Sequence, residues 1–338
     1  MQGSLTISRL EQPRLDARGK DNILVIRHGG IGDLIMLTNA LRAFKEQNQD
    51  KKLYLLTLPK WIPFFRGLPY LAGVIDASQL EDYAPGIGFE EIIGLSMSAE
   101  PKVMPTGKID WEEYITKDRV VLFEEYLGVS PEEKRFDIIL RDAWVNEIRV
   151  SHEELSGNEP FILLSVGSNS YFRSIPQQLL MDLIDMITGA MGATAVLMGT
   201  SKPWCKWLLG IGGDRIVNLI DQTNEQGMAA LVSLSNMVIS SDAGPAHIAG
   251  VLNKPTLVLV GNIPFDLRYK YYPTVRGIEG AVKPNCAPCY DVKYPGNDGT
   301  PDCRHGDISG SPCLRNITIN QVYEACIEMA KGWKPISQ

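Results

Sequence analysis

Four stretches carry residues whose types and spacing could do chemistry. The first is Ser240-Ser241-Asp242-Ala243-Gly244-Pro245-Ala246-His247-Ile248-Ala249-Gly250, which follows the apolar run Met237-Val238-Ile239. That run predicts a short buried strand. Asp242 is a good N-cap and Pro245 suits a first helical turn, so a helix is expected to begin here. Gly244 lets backbone approach a ligand closely, and the N–H groups of the first turn form an anion site, with His247 near any bound phosphate. The plainer reading is a capped helix with His247 simply hydrogen-bonded.

The second stretch is His28-Gly29-Gly30-Ile31-Gly32-Asp33, a glycine-rich turn ending in a carboxylate. It follows Asn22–Arg27, an apolar run fit for a central parallel strand, so Asp33 falls at the sheet edge where α/β proteins put their ligands. Its ordinary alternative is an N-cap. The third is Gly167–Ile175, where Ser168 and other small hydroxyl residues accompany Arg173 just before the helix that Pro176 opens. Such a loop suits phosphate recognition, although an arginine is more often a surface cation. The fourth is a cysteine group: Cys286 and Cys289 form a C-x-x-C, with Cys303 and Cys313 further on. Four thiolates at this reach fit tetrahedral zinc or iron; four thiols without metal is the other reading. Cys205 and Cys326 fall on predicted helices and are expected in the core.

The elements that must position these residues alternate strand and helix. In the first half, strand 22–27 leads to an amphipathic helix over Leu34–Gln47, with Leu34, Leu37, Leu41 and Phe44 on one face, then to strand 52–57. Val74–Asp76 and Phe89–Leu95 predict further strands, Arg119–Leu127 a helix, and Asp137–Leu140 a last strand. Residues 83–111, rich in Gly, Pro and Met, read as an irregular binding excursion. The second half restarts with strand 161–166, a helix from Pro176 to about Ala190, strand 194–198, helix 203–209, strand 215–219, helix 226–233, and a strand at 256–261. Two such halves predict an α/β protein of two doubly wound domains. The expected segments are a polar arm over 1–21, domains over 22–155 and 156–318, and a final segment 319–338 with a helix at 320–331.

Two nucleotide motifs are excluded. The dinucleotide fingerprint needs a third glycine after Gly30-Ile31-Gly32 and an acidic residue ending the second strand, and neither is present. No G-x-x-x-x-G-K-[ST] occurs. The 338 residues carry a net charge of −7 and a pI near 5.3, which argues against nucleic acid as a partner. No apolar run approaches a membrane span and no secretory signal is visible, so a cytoplasmic protein is expected.

Two motifs, one in each half, together resemble glycosyltransferase family 9, the heptosyltransferases that build lipopolysaccharide core. They are Ile23–Ile35 leading to Thr38-Asn39-Ala40-Leu41-Arg42, and Ser241–Ala249 leading to Lys254-Pro255-Thr256. Arg173-Ser174-Ile175-Pro176 is a weaker match, and the Cys286–Cys289 pair with Cys313–Thr318 is similar to the C-terminal part of some members. The resemblance implies a GT-B fold: two Rossmann-like domains facing a central cleft, acceptor on the first and nucleotide-sugar donor on the second, with the final helix packing back across. It places Asp33 as catalytic base, His28, Gly29, Gly30 and Gly32 in the acceptor-side loop, and Arg173, Ser168, Asp242, Ala243, Gly244 and His247 around the donor phosphates.

The implied activity is inverting transfer of a sugar from a nucleotide-diphospho-sugar, with ADP-heptose as candidate donor, to a glycan, lipid-linked glycan or protein. No cofactor is required for transfer; for the four cysteines a structural zinc or iron and four metal-free thiols both stay open. A lipid-linked acceptor would bring the protein to the inner membrane face. Departures from the family pattern bear on the donor: Ala243 stands where Thr or Ser is usual, Ile175 replaces a Trp, and Thr200–Pro203 lacks a Glu near the nucleoside. Ala243 and Ile175 keep a second class open, a nucleotide-sugar-binding protein without transfer activity. An NAD-dependent oxidoreductase is disfavoured by the missing ribose carboxylate.

Overall fold

The computed structural model describes residues 21–79, 89–95, 102–103, 109–110, 116–155, 157, 159–167, 173–201, 203–280 and 312–331. The chain divides into two compact units, Met1–Ile139 and Leu140–Gln338. The sequence-based division lies further on, after residue 155. Helix Asp142–Ser151 falls in between and packs on a helix of the second unit.

In the first unit, β1 (Asn22–Ile26), β2 (Lys52–Thr57), β3 (Gly73–Asp76) and β4 (Glu91–Gly94) form a parallel sheet in the order β3-β2-β1-β4. β1 is central because its side chains face apolar layers on both sides: Ile23, Leu24 and Val25 are buried. The helix after β1, α1, spans Ile31–Gln47 and so begins earlier than its apolar period suggests. It is buried nearly all round rather than along one stripe, Leu34 through Leu41 included, because a second helix, α2 (Arg119–Leu127), packs on it. Asp118 caps α2 by accepting from the Val120 and Val121 N–H groups. The strand expected at Asp137–Leu140 does not form. Its Asp137 carboxylate instead accepts from Arg42 and from the Tyr70 hydroxyl, and the backbone makes no ladder.

The second unit starts with α3 (Asp142–Ser151) and continues β5 (Phe161–Ser165), α4 (Gln177–Asp185, extended by a π-helical turn over Met186–Ala190) and β6 (Thr194–Met198). It goes on through β7 (Ile216–Asn218), α5 (Glu225–Leu234), β8 (Met237–Ser241), α6 (Gly244–Val251), β9 (Thr256–Val260), β10 (Val275–Glu279) and α7 (Ile319–Met329). The six strands are parallel in the order β10-β9-β8-β5-β6-β7. This is the doubly wound arrangement in which strand order reverses between the first and fourth strands, here β5 and β8. Ligands of open α/β sheets bind outside the carboxyl ends at that reversal. Ile162, Leu164, Leu180, Leu183, Leu197, Ile239 and Leu257 form the core beneath it. Each such side chain contributes about 1.5–3 kcal/mol on burial.

α7 opens with a capping box between Thr318 and Gln321 and buries Val322 and Cys326. No helix among the described residues is long and apolar enough to cross a membrane.

Candidate active site

At the carboxyl end of β1 the chain passes through Arg27, the glycine turn, and into α1. The N-cap of α1 is Gly30, and Asp33 lies inside the first turn rather than capping it. Its carboxylate is drawn elsewhere. Arg27 donates from one Nη to Asp33 Oδ2 at 2.8 Å and from the other to the Leu95 carbonyl at 3.1 Å. The guanidinium thus ties Asp33 to the end of β4, across the point where this sheet also reverses its order. Arg119, the first residue of α2, lies with its Nε 3.7 Å from Asp33 Oδ1. Both arginine side chains are 1% exposed and the Asp33 side chain 25%, so two buried cations hold one accessible carboxylate. Burying a guanidinium is costly unless it is paired, and both are paired on the same anion.

The turn glycines differ in what they do. A Cβ on Gly29 would stand 2.9 Å from Arg27 Nε and 3.1 Å from its Cζ, so the guanidinium occupies the space a side chain would need. The Gly29 carbonyl accepts from Trp61 Nε1 at 3.0 Å, which pins the turn. Gly30 has open space around its Cβ direction and His28 is exposed. Gly32 is buried within α1. Gly29→Ala is therefore expected to push Arg27 off Asp33. Turnover should fall roughly ten- to a hundredfold, and the melting temperature should fall as well because Arg27 is left buried away from its counter-charge; kinetics well below the melting point, set beside a thermal melt, separate the two.

In the second unit the carboxyl end of β8 leads through Asp242 to α6. Asp242 is not the N-cap; that position is Ala243, in an extended conformation (φ −150°, ψ 168°) and without a side-chain cap. The physical reason is competition for the carboxylate: Tyr269 donates its hydroxyl to Asp242 Oδ1 at 2.6 Å, and Arg173 Nη1 lies 3.7 Å from Oδ2. Arg173 also donates to the Asp242 carbonyl at 3.2 Å. Burial pushes the Asp242 carboxyl upward, but the charges of Arg173 and Arg268 and the Tyr269 hydrogen bond outweigh it, so its pKa lies below the ordinary 3.8. Burial and the neighbouring Asp242 push the Tyr269 phenol well above its usual range, keeping it a donor.

The structure brings Arg173, Asp242, Ala243, Gly244 and His247 to this end of the sheet, as the loop spacing suggests. Ala243 and Gly244 are partly exposed and His247 is buried. His247 stacks on Tyr269 with ring centroids 4.5 Å apart, and its Nδ1 lies 3.3 Å from the Tyr272 hydroxyl. Phe265 also stacks on Tyr269, with ring centroids 5.6 Å apart. Ile175 lies in the core with Leu179 and Leu183. Ser168 falls outside the described residues.

Arg119, Arg268, Tyr269 and Tyr272 had no signal in the sequence. Arg27 had one: a cation ending an otherwise apolar central strand needs a buried counter-charge. The cysteine cluster is only partly in view, because Cys286, Cys289 and Cys303 lie outside the described residues. Cys313 is buried beside Gly261 and Gly280. Among the described residues no group of three or more His, Cys, Asp or Glu could hold a metal ion.

Comparison with known proteins gives a consistent picture. A family model for glycosyltransferase family 9 (heptosyltransferase) matches residues 106–289, a span holding Arg173, Asp242 and His247 but not Asp33. No curated protein matches the sequence. Among solved structures, the ADP-heptose lipopolysaccharide heptosyltransferase II of E. coli shares 16% identity at a TM-score of 0.63, over 91% of this chain and 98% of that one. A family 9 glycosyltransferase from Veillonella parvula gives 15% and 0.70, over 93% and 98%. The iron-containing dodecameric heptosyltransferase TibC of enterotoxigenic E. coli, in complex with ADP-D-beta-D-heptose, gives 14% and 0.61, over 92% and 76%. At these identities the structures speak for the fold, which is that of GT-B enzymes, and the family model speaks for descent. The chain belongs to glycosyltransferase family 9, the heptosyltransferase family, and is a glycosyltransferase.

Proposed function

We propose that the protein transfers a sugar, a heptose from ADP-heptose in the first instance, from a nucleotide-diphospho-sugar to a glycan hydroxyl with inversion at the anomeric carbon. The observation that carries the reading is Asp33: one accessible carboxylate at the end of a central strand, fixed by two buried arginines. A positioned carboxylate of this kind serves as a general base. With Oδ2 held by Arg27, Oδ1 takes the acceptor proton as the hydroxyl oxygen attacks the anomeric carbon and the bond to the diphosphate breaks. A single base suits direct displacement with inversion, by analogy with inverting glycoside hydrolases.

The donor binds to the second unit, at the reversal between β5 and β8. Charge developing on the departing diphosphate meets the N-terminus of α6, Arg173 and His247, which supply stabilisation from the protein itself. Asp242 belongs to this donor-binding group through Arg173, whose guanidinium its carboxylate and carbonyl hold in place. His28 and the turn glycines shape the acceptor side, and Ser168 is assigned to the phosphates. Cys286, Cys289, Cys303 and Cys313 are kept as candidate ligands of a structural zinc or iron. The protein acts in the cytoplasm, meeting lipid-linked acceptors at the inner membrane face.

A thermal-shift panel of ADP, UDP, GDP, CDP and NAD tests the donor reading. A ligand at a hundredfold excess over its Kd adds about 2.7 kcal/mol of stability. A selective rise with ADP is expected; silence from every nucleoside diphosphate, or a response to NAD alone, would overturn it.

A further inference from the structure

Tyr272 lies in the chain well beyond the helix that carries His247, yet its ring is built into that helix. A Cβ on Gly250, one turn after His247 on α6, would stand 2.6 Å from Tyr272 Cγ and 2.7 Å from Cδ1. The phenol therefore rests flat on bare backbone, and only glycine permits that approach. In this seat the Tyr272 ring meets His247 edge-on, at 5.8 Å and 71°, and its hydroxyl reaches His247 Nδ1 at 3.3 Å. Tyr272 is 4% exposed and Tyr269 1%.

Two neighbours thus constrain one imidazole in different ways. Stacking on Tyr269, at 22° between planes, sets the plane of the ring. It does not set which edge leads, because a half-turn about Cβ–Cγ exchanges Nδ1 with Cδ2 and leaves the stack intact. A hydrogen bond to one nitrogen breaks that equivalence. A phenol is the better donor of the pair and an imidazole nitrogen the better acceptor. Burial pushes the Tyr272 phenol above its ordinary range, so the hydroxyl keeps its proton. With Tyr272 donating to Nδ1, the proton of neutral His247 resides on Nε2.

We propose that Tyr272 is a positioning residue for sugar transfer: seated on Gly250, it donates to His247 Nδ1 and holds the imidazole as the Nε2–H donor toward the departing diphosphate. The assignment to transfer rests on the donor-site reading above, whereas the tautomer itself does not. Tyr269 and Asp242 keep the ring plane and Arg173 in register around the same ligand.

Tyr272→Phe tests this, since it keeps the ring against Gly250 and removes only the hydroxyl. Long-range proton–nitrogen NMR resolves the tautomer, and the chain has only 4 histidines to assign. In the wild type His247 should carry its proton on Nε2, and in Tyr272→Phe it should exchange between both tautomers. ADP affinity, read by calorimetry, should fall about tenfold in the variant, with an unchanged melting temperature. An unaltered His247 tautomer in Tyr272→Phe would overturn the positioning role while leaving the donor site standing. If instead His247→Ala binds ADP as the wild type does, the donor-site reading fails and the link to transfer with it.

Discussion

Replacing Asp33 by Asn is expected to reduce turnover by about a thousandfold, within the range removed with a general base, and to leave ADP affinity unchanged. The amide keeps a hydrogen-bond acceptor for Arg27, so the side chain can stay where the carboxylate was. What it cannot do is accept the acceptor's proton. It also removes an anion that Arg27 and Arg119, both buried, share. Some loss of stability therefore accompanies the loss of rate, softened because the Asp33 side chain is 25% exposed and water can enter. Kinetics at a temperature well below the melting point separate the two. A variant of wild-type turnover would remove Asp33 from the chemistry.

The second large effect is on folding. Asp242→Asn leaves the Tyr269 hydroxyl an acceptor but removes the negative charge facing Arg173 and Arg268. Breaking a buried pair from one side costs about 3–5 kcal/mol where the partner charge stays buried, as that of Arg268 does; the Arg173 side chain, 25% exposed, is partly screened by water and adds less. The melting transition should drop by roughly 10 °C. The acid dependence has a definite sign. Asp242 has a folded-state pKa below its ordinary 3.8, so the unfolded chain binds its proton more readily. Its contribution is complete above that ordinary value and is lost as pH falls through the folded value. The stability gap between wild type and Asp242→Asn should accordingly be widest near neutrality and close in strong acid. A gap independent of pH would show that the charge contributes nothing.

Much of the frame could be read from the chain because its information is local. β1, β5, β8 and β9 are short, mainly apolar runs that lead into glycine-containing turns, the pattern of a strand buried on both faces. α6 announces itself through Pro245, and α5 and α7 through polar residues at their starts. β10 was missed because it is an edge strand, Val275 buried but Arg276 and Gly277 exposed, so it lacks that pattern. The segment Asp137–Leu140 misled in the opposite sense: three apolar residues suggest a strand, yet Asp137 is committed to Arg42 and Tyr70 on other elements.

The site divides along the same line. Asp33, Arg173 and His247 sit beside glycines and helix starts, where short-range chemistry marks them. Their supports do not. Arg119 reaches Asp33 from α2, and Tyr269 and Tyr272 reach Asp242 and His247 from 27 and 25 residues away. The same distance explains the mistaken N-cap at Asp242. Local propensity offers its carboxylate to the helix, but a distant phenol and a guanidinium claim it first.

The most direct test is a calorimetric titration of ADP into the wild type, Asp33→Asn and Arg173→Ala. Wild type and Asp33→Asn should bind alike, and Arg173→Ala at least about tenfold more weakly. Absence of binding to the wild type, or equal binding by Arg173→Ala, would contradict a donor diphosphate held between β5 and β8.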